Sequence, residues 1–257
     1  MSGNPARVLV LEKAWQVLSL FSAESPTLEM REIRSATGLP ATTCTRIVRS
    51  LTEAGVLIQI GDRYRIGLSV LRWADAAVAG LDLLDTVRPL LTALRDRTGE
   101  TAGFFVRQGP YRVCVAFAES QHPLGRRLSL GHILPLNIGA PGRVLLAYDE
   151  QAVEELRSVP LAKFTDLSID TWPALESTLE EVRRDGYYFS AGEWSLELSG
   201  LAVPVFAGRA NLVGALALST PVARLPKERM GSLLSAVQQS AEEMSLGLAR
   251  AEHSVRA

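Results

Sequence analysis

The stretch Leu39-Pro40-Ala41-Thr42-Thr43-Cys44-Thr45-Arg46-Ile47-Val48-Arg49-Ser50-Leu51 decides how the first quarter of the chain is read. Cys44, Ile47, Val48 and Leu51 recur at i, i+3, i+4 and i+7, the spacing that lines one face of a helix, and Pro40 suits a helix start. With that face turned to a core, Thr42, Thr43, Thr45, Arg46 and Arg49 point outward with no acid among them. Hydroxyl and guanidinium groups in that concentration match phosphates and base edges: arginine pairs bidentately with guanine, and threonine bonds bases or meets a thymine methyl. A solvated face on a small helical protein would also tolerate these residues, so the segments on either side must decide.

Upstream, Val8, Leu11, Trp15 and Leu18, widened by Val10, Ala14, Val17 and Phe21, predict a helix with one buried face that ends within residues 23–26. Thr27 as N-cap, Glu29 and Glu32 in the first turn, and Gly38 as C-cap predict a second helix of about three turns ending near Thr37. Downstream of Gly55, Val56 to Ile60 and Arg63 to Gly67 predict a hairpin turning at Gly61-Asp62, with Arg63 and Arg65 on one face. Three helices followed by a basic hairpin is the winged helix-turn-helix order, in which the third helix enters the major groove and the wing touches backbone or minor groove.

Bulk properties leave room for this reading without announcing it. The 257 residues are 47% apolar and 21% charged, a globular composition long enough for two domains. Residues 1–67 carry 8 Lys/Arg against 6 Asp/Glu and the remainder 19 against 22, so the net charge of -1 hides only a mildly basic first part. Cys44 and Cys114, far apart in apolar surroundings, predict two buried thiols and no disulfide or cysteine-rich zinc site. With no signal-peptide pattern and no membrane-length apolar run, a soluble cytoplasmic protein without a membrane partner or cofactor is expected.

The rest of the chain reads as a connecting helix over 68–84 that packs on its twin, then an α+β domain over 85–257. Helices are predicted from Val87 to Arg97, Gly142 to Ala147, Glu150 to Arg157, Trp172 to Asp185 and Lys227 to Ala251. Strands are predicted at Thr101–Arg107, Tyr111–Ala118, Tyr187–Ser190, Gly200–Phe206 and Leu212–Ser219, the last two pairing around 208–211 in a mostly antiparallel sheet. The Gly-rich, irregular stretches Gly131–Gly142 and Ser190–Gly200 are the expected pocket mouth.

Leu39-Pro40, Thr43-x-x-Arg46, Leu51 with Gly55, and Tyr64-Arg65-Ile66-Gly67 resemble the DNA-binding part of the IclR family of bacterial regulators. The resemblance extends through Pro135-Leu136-Asn137-Ile138-Gly139-Ala140-Pro141-Gly142-Arg143, Gly186-Tyr187, Gly192-Glu193, Gly200 to Val205 and Leu216 to Pro221, which look like that family's GAF-like effector-binding domain. It implies a homodimer or dimer of dimers on a palindromic operator, with a small-molecule effector among Asn137, Ala140, Gly142, Ser190, Glu193, Gly200, Ala217 and Ser219. Several relatives bind small carboxylates or aromatic acids through backbone N–H and hydroxyl groups. Here Ala217 stands where such relatives carry serine, Gly200 where cysteine is common and Asn137 where histidine is frequent. Fewer polar groups therefore reach inward, which leaves room for a larger or more apolar effector.

An enzyme or redox protein with a GAF-like fold is the alternative, and Cys114, His122, His132 and Glu193 are the residues it would need. Cys114 sits mid-strand without a resolving partner in its domain, and His122 and His132 form no His-x-x-x-His pair. Neither a nucleophile elbow nor a phosphate-binding Gly-rich loop is present in the sequence.

Overall fold

The computed structural model of the chain describes residues 8–22, 25–79, 81, 83–122, 128–208, 211–224 and 227–255. The end assigned to the first helix at 23–26 and the turn at 208–211 fall partly outside these, and Pro123 wholly. The chain divides into two compact units, residues 1–81 and 82–257.

In the first unit α1 (Leu9–Leu18), α2 (Met30–Thr37) and α3 (Ala41–Glu53) enclose a small core of Val17, Ile33, Cys44, Ile47, Val48 and Leu57. The α3 reading holds: Cys44, Ile47 and Val48 are buried and Leu51 packs against them. A hairpin of β2 (Leu57–Ile60) and β3 (Arg63–Ile66) follows, with Gly61 at φ 63°, the left-handed backbone that a two-residue hairpin turn needs at its first position. The sheet has a third strand that the pattern did not signal, β1 (Leu28–Glu29), paired antiparallel with β3.

Two expectations need correcting here. Helix α2 begins at Met30, not beside Thr27: the strand takes Leu28 and Glu29, and the Glu32 carboxylate accepts the Glu29 N–H at 2.7 Å in a capping box. More consequentially, the expected buried stripe of α1 is bare along one edge. Val8, Leu11 and Trp15 are 58%, 66% and 66% exposed, whereas Ala14, Val17, Leu18 and Phe21, toward the other edge of the same apolar arc, meet the core. The apolar arc of α1, interrupted only by Glu12, Lys13 and Gln16, is wider than a three-helix core can cover.

The connecting helix is also shorter than expected. Helix α4 (Val70–Ala79) stops before the second unit, and α5 (Leu84–Thr98) opens it, closed by Gly99 at φ 73°. Leu68, Leu71 and Trp73 are exposed.

The second unit is built on one antiparallel sheet of six strands in the order β6-β5-β4-β9-β8-β7. These are β4 (Thr101–Gln108), β5 (Tyr111–Ala118), β6 (Ile133–Pro135), β7 (Tyr188–Ala191), β8 (Leu198–Ala207) and β9 (Asn211–Pro221). The ladder from Leu198↔Pro221 to Ala207↔Asn211 joins β8 to β9 as the sequence suggests. Strand β6 was not foreseen; it lies inside the stretch read as irregular. Helices α6 (Gly139–Ala147), α7 (Glu150–Arg157) and α8 (Trp172–Asp185) share a core with Phe105, Cys114, Ala202, Ala215 and Ala217. Period-two alternation turns Phe104, Leu201, Val203 and Leu216 to the other face, where α5 and α9 (Lys227–Val255) pack on the sheet and on each other. The sheet is thus the middle of three layers.

Every residue of α6 is buried, so its approach to neighbouring backbone is close. A Cβ at Gly142 would run into the Leu136 carbonyl oxygen. Gly142→Ala is therefore expected to destabilise the protein by about 1–3 kcal/mol or more, since a backbone atom cannot step aside as a side chain does. A fall in urea midpoint at unchanged slope checks this.

Candidate DNA-binding face and effector pocket

On α3, Thr42, Thr45, Arg46 and Arg49 are exposed and Thr43 is half-buried. The face is not wholly without acid, as the Arg49 Nε donates to Glu53 at 2.7 Å one turn further on. That carboxylate raises the Arg49 pKa. The hairpin arginines part company with the simple reading. Arg63 Nε donates to the Thr27 hydroxyl at 3.0 Å, and its terminal nitrogens donate to the Thr27 carbonyl and to the Glu29 and Glu32 carboxylates at 2.9–3.4 Å. It fastens the wing to the start of α2, and the Thr27 hydroxyl serves as its acceptor. Arg65 is half-buried, with Nε shielded from solvent.

In the second unit a cavity of about 50 Å³ opens between the N-terminus of α6 and the ends of β8 and β9. Ala140, Ser190, Glu193, Gly200, Ala217 and Ser219 line it, so six of the eight residues singled out in the sequence converge. Asn137 and Gly142 do not. The Asn137 side chain donates to the Ala162 and Ile169 carbonyls at 2.8 and 2.9 Å and accepts the Ala162 N–H, which ties the 159–171 segment to the sheet. Gly142 packs on Leu136 as described.

The wall toward α6 is an electrostatic assembly. The Glu193 Oε2 accepts the Gly139 N–H at 2.8 Å and Arg143 Nη2 at 3.1 Å, while the Ser190 Oγ accepts the Ala140 N–H at 2.9 Å. A carboxylate and a hydroxyl thus satisfy the first free N–H groups of α6, where the helix dipole favours negative charge. Arg143 has no solvent exposure, also donates to the Asn137 carbonyl, and lies 5.7 Å from the Tyr188 ring centre. Burial pushes its pKa down and Glu193 pulls it back up. Burial likewise raises the Tyr188 phenol, with Arg143 acting against it.

The rest of the lining holds residues that the sequence reading passed over: Phe105, Leu128, Trp194, Leu198 and, above all, Arg112, whose Nη2 lies 3.4 Å from where a Cβ on Gly139 would stand. Arg112 occupies a buried position of β5 in phase with Cys114 and Ala116, and its guanidinium carbon lies 4.7 Å above the Phe105 ring centre. The phase was visible in Arg112-x-Cys114-x-Ala116; an arginine on the same side as a thiol and a methyl group is the signal. His132, unused by any catalytic arrangement, stacks edge-on with Trp194 at 5.6 Å. Cys44 and Cys114 are buried in different units, and no cluster of three or more His, Cys, Asp or Glu side chains is placed to hold a metal among the described residues.

A winged helix followed by a separate sheet domain with a partly open polar-apolar pocket is the architecture of a ligand-responsive DNA-binding regulator. The model of the IclR helix-turn-helix domain matches residues 10–61, and that of the bacterial transcriptional regulator IclR C-terminal domain matches residues 75–246. The chain belongs to the IclR family of transcriptional regulators, with a DNA-binding first domain and an effector-binding second one, and is not an enzyme. It is 26% identical over 242 residues to the HTH-type transcriptional regulator XynR of Escherichia coli K12, covering 93% of this chain and 96% of that protein. It is equally 26% identical to the transcriptional repressor AllR of Salmonella typhimurium, covering 93% and 89%. Among solved structures, an IclR regulator from Alicyclobacillus acidocaldarius superposes with a TM-score of 0.75 at 26% identity, covering 94% and 99%. An IclR homologue from Microbacterium hydrocarbonoxydans, complexed with 4-hydroxybenzoate, shares the fold with a TM-score of 0.74 at 20% identity, covering 93% and 98%.

The buried pair supplies a test of how the pocket wall is held. Removing one partner strands the other charge, so Glu193→Leu is expected to cost about 3–5 kcal/mol, whereas Arg143→Met combined with Glu193→Leu recovers much of the loss. Chemical denaturation of the two single variants and the double variant measures the coupling.

Proposed function

We propose that the exposed face of α3 reads an operator in the major groove, with Thr42, Thr45 and Arg46 as the principal contacts and Thr43, Arg49 and Arg65 as secondary ones. The observation that carries this is the division of α3 between a fully buried apolar side and an outward side of hydroxyls and a guanidinium. Arg63 serves chiefly to fix the wing, because its donors are committed to Thr27, Glu29 and Glu32. A small organic effector binds in the cavity lined by Ala140, Ser190, Glu193, Gly200, Ala217 and Ser219, and the 4-hydroxybenzoate held by a regulator of the same fold supports an organic ligand.

The working unit is a homodimer or dimer of dimers on a palindromic operator, its half-sites a helical turn or a multiple apart. The bare sides of α1 and α4 support this, since Leu11, Trp15, Leu71 and Trp73 present large apolar groups to water in the single chain. Effector binding shifts the spacing of the recognition helices by its differential affinity for the two arrangements. No helix among the described residues is long and apolar enough to cross a membrane, and a regulator of chromosomal DNA works in the cytoplasm.

Fluorescence anisotropy on DNA flanking the protein's own gene, against a scrambled duplex at two salt concentrations, tests the whole reading. Arg46→Ala is expected to weaken the native duplex roughly ten-fold or more and to narrow its lead over the scrambled one, as loss of a base contact does. Arg63→Ala is expected to have the smaller effect on binding and the larger on thermal stability of the first unit. Trp15→Glu is expected to turn the assembly toward monomer in sedimentation velocity and to abolish tight operator binding; an unchanged sedimentation coefficient would exclude α1 from the interface.

A further inference from the structure

We infer that the α6 wall of the pocket recognises a hydroxyl group: the effector is an alcohol or polyol, one of whose hydroxyls donates to Glu193 Oε1 and accepts from the Ser190 hydroxyl. This rests on the effector reading given above and adds to it the functional group that the ligand carries and the two side chains that select it.

Glu193 commits only one of its carboxylate oxygens to the protein. Oε2 accepts both the Gly139 N–H at 2.8 Å and Arg143 Nη2 at 3.1 Å, whereas Oε1 receives no hydrogen bond or ion pair from the described residues. The residue is 6% exposed and lines the cavity, so a partner for Oε1 arrives through the cavity. An ionised carboxylate can only accept, and a buried acceptor left without a donor costs free energy. What enters must therefore bring a donor. A ligand carboxylate or ether oxygen set against Oε1 brings a second acceptor instead.

Ser190 is left with the complementary need. Its Oγ accepts the Ala140 N–H at 2.9 Å, its own O–H donates to no acceptor among the described residues, and the residue is 7% exposed. Gly139 and Ala140 are consecutive, so the Glu193 carboxylate and the Ser190 hydroxyl that bond their N–H groups are held close together at the start of α6. The cavity thus presents an acceptor and a donor side by side. An amine N–H answers only the first, and a ketone or ether oxygen only the second. A hydroxyl does both, giving its proton to Glu193 and taking one from Ser190.

The sheet leaves room for the molecule that carries this hydroxyl. Ser190, Gly200 and Ser219 are in register across β7, β8 and β9. The backbones of the two serines are therefore two strand spacings, about 10 Å, apart, with a glycine between them. A Cβ at Gly200 would lie 3.5 Å from Ser190 Oγ and 3.7 Å from the Ala140 Cβ, so its absence clears the space beside the selecting pair. Ser219 lines the far side, half-buried and with no side-chain hydrogen bond to the described residues, and suits a second hydroxyl. Phe105 and Leu198 supply apolar cover for the carbon skeleton.

Calorimetric titration of the full-length protein with sets of near-isosteric compounds tests this. Each set is an alcohol, its ketone and its amine: glycerol with dihydroxyacetone and 2-aminopropane-1,3-diol, cyclohexanol with cyclohexanone and cyclohexylamine, and 1-phenylethanol with acetophenone and 1-phenylethylamine. Wild type is expected to bind at least one alcohol about ten-fold or more tightly than both of its analogues, the scale of a hydrogen bond to a charged group. Ser190→Ala is expected to close the gap between that alcohol and its amine, and Glu193→Gln the gap between the alcohol and its ketone. The wild-type comparison needs no variant, so poor folding of either one leaves the inference falsifiable. In every set that binds, a ketone or amine held as tightly as its alcohol would overturn it, as would an unchanged preference in both folded variants. Failure of all three alcohols to bind would overturn it too. Thermal unfolding with acetate, pyruvate, benzoate and glucose then separates the two readings. Stabilisation of wild type but not of a folded Ala217→Trp protein, whose cavity is filled, retains the effector pocket and discards only the hydroxyl rule; stabilisation of neither removes both.

Discussion

A guanidinium with no access to water, Arg143, is the constraint around which the second unit is arranged. Desolvating a charge costs several kcal/mol unless it is paired and hydrogen-bonded, so its surroundings must be built to hold it. Its terminal nitrogens are so held: Glu193 supplies the counter-charge, the Asn137 carbonyl a further acceptor, and the Tyr188 ring lies alongside, while the buried Nε has no hydrogen-bond partner. Each of these belongs to a different piece of chain. Meeting the needs of one side chain thereby fixes the turn into α6, the strand β7 and the loop after it in a common position. The Glu193 Oε2 that pairs with Arg143 also accepts the Gly139 N–H, so the same pair caps the helix whose burial is complete.

The segment 159–171 is held by the same logic with neutral groups. Asn137 binds two of its carbonyls and one N–H, and Thr165 and Ser168 donate to the Gly192 and Glu193 carbonyls at 2.6 Å. The backbone carrying Glu193 is thus braced on the side away from Arg143. Small residues complete the arrangement: with no side chain at Gly200 and a single methyl at Ala217, the sheet leaves a hollow instead of filling it.

What could be read from residue order depended on whether a pattern had one explanation. Helix α3, the hairpin and the strands β4, β5, β8 and β9 were legible because each carries a clear period and a glycine or proline at its ends. Helix α1 misled because its apolar arc is wide; periodicity identified a helix but could not say which edge of that arc the single chain would bury. The short strands β1 and β6 have too few residues to show any period. Six pocket residues were legible through resemblance to a family. Asn137 and Gly142 sat within the same run yet serve packing, a distinction that needs the positions of Ala162 and Leu136. Arg112 was missed for a physical reason: polar residues in an alternating strand ordinarily mark the wetted face, and here the arginine marks the inner one.

The division of labour on α3 has a consequence for how such proteins diversify. Cys44, Ile47 and Val48 belong to the core, while Thr42, Thr45 and Arg46 are exposed and lie outside it. Substitutions on the outer side can therefore accumulate with little effect on stability, since surface changes away from packed or capped positions usually fall within about 0.5 kcal/mol. A duplicated copy of this chain could drift to a new recognition surface through a handful of neutral exchanges, retaining its scaffold and its sensing domain unaltered.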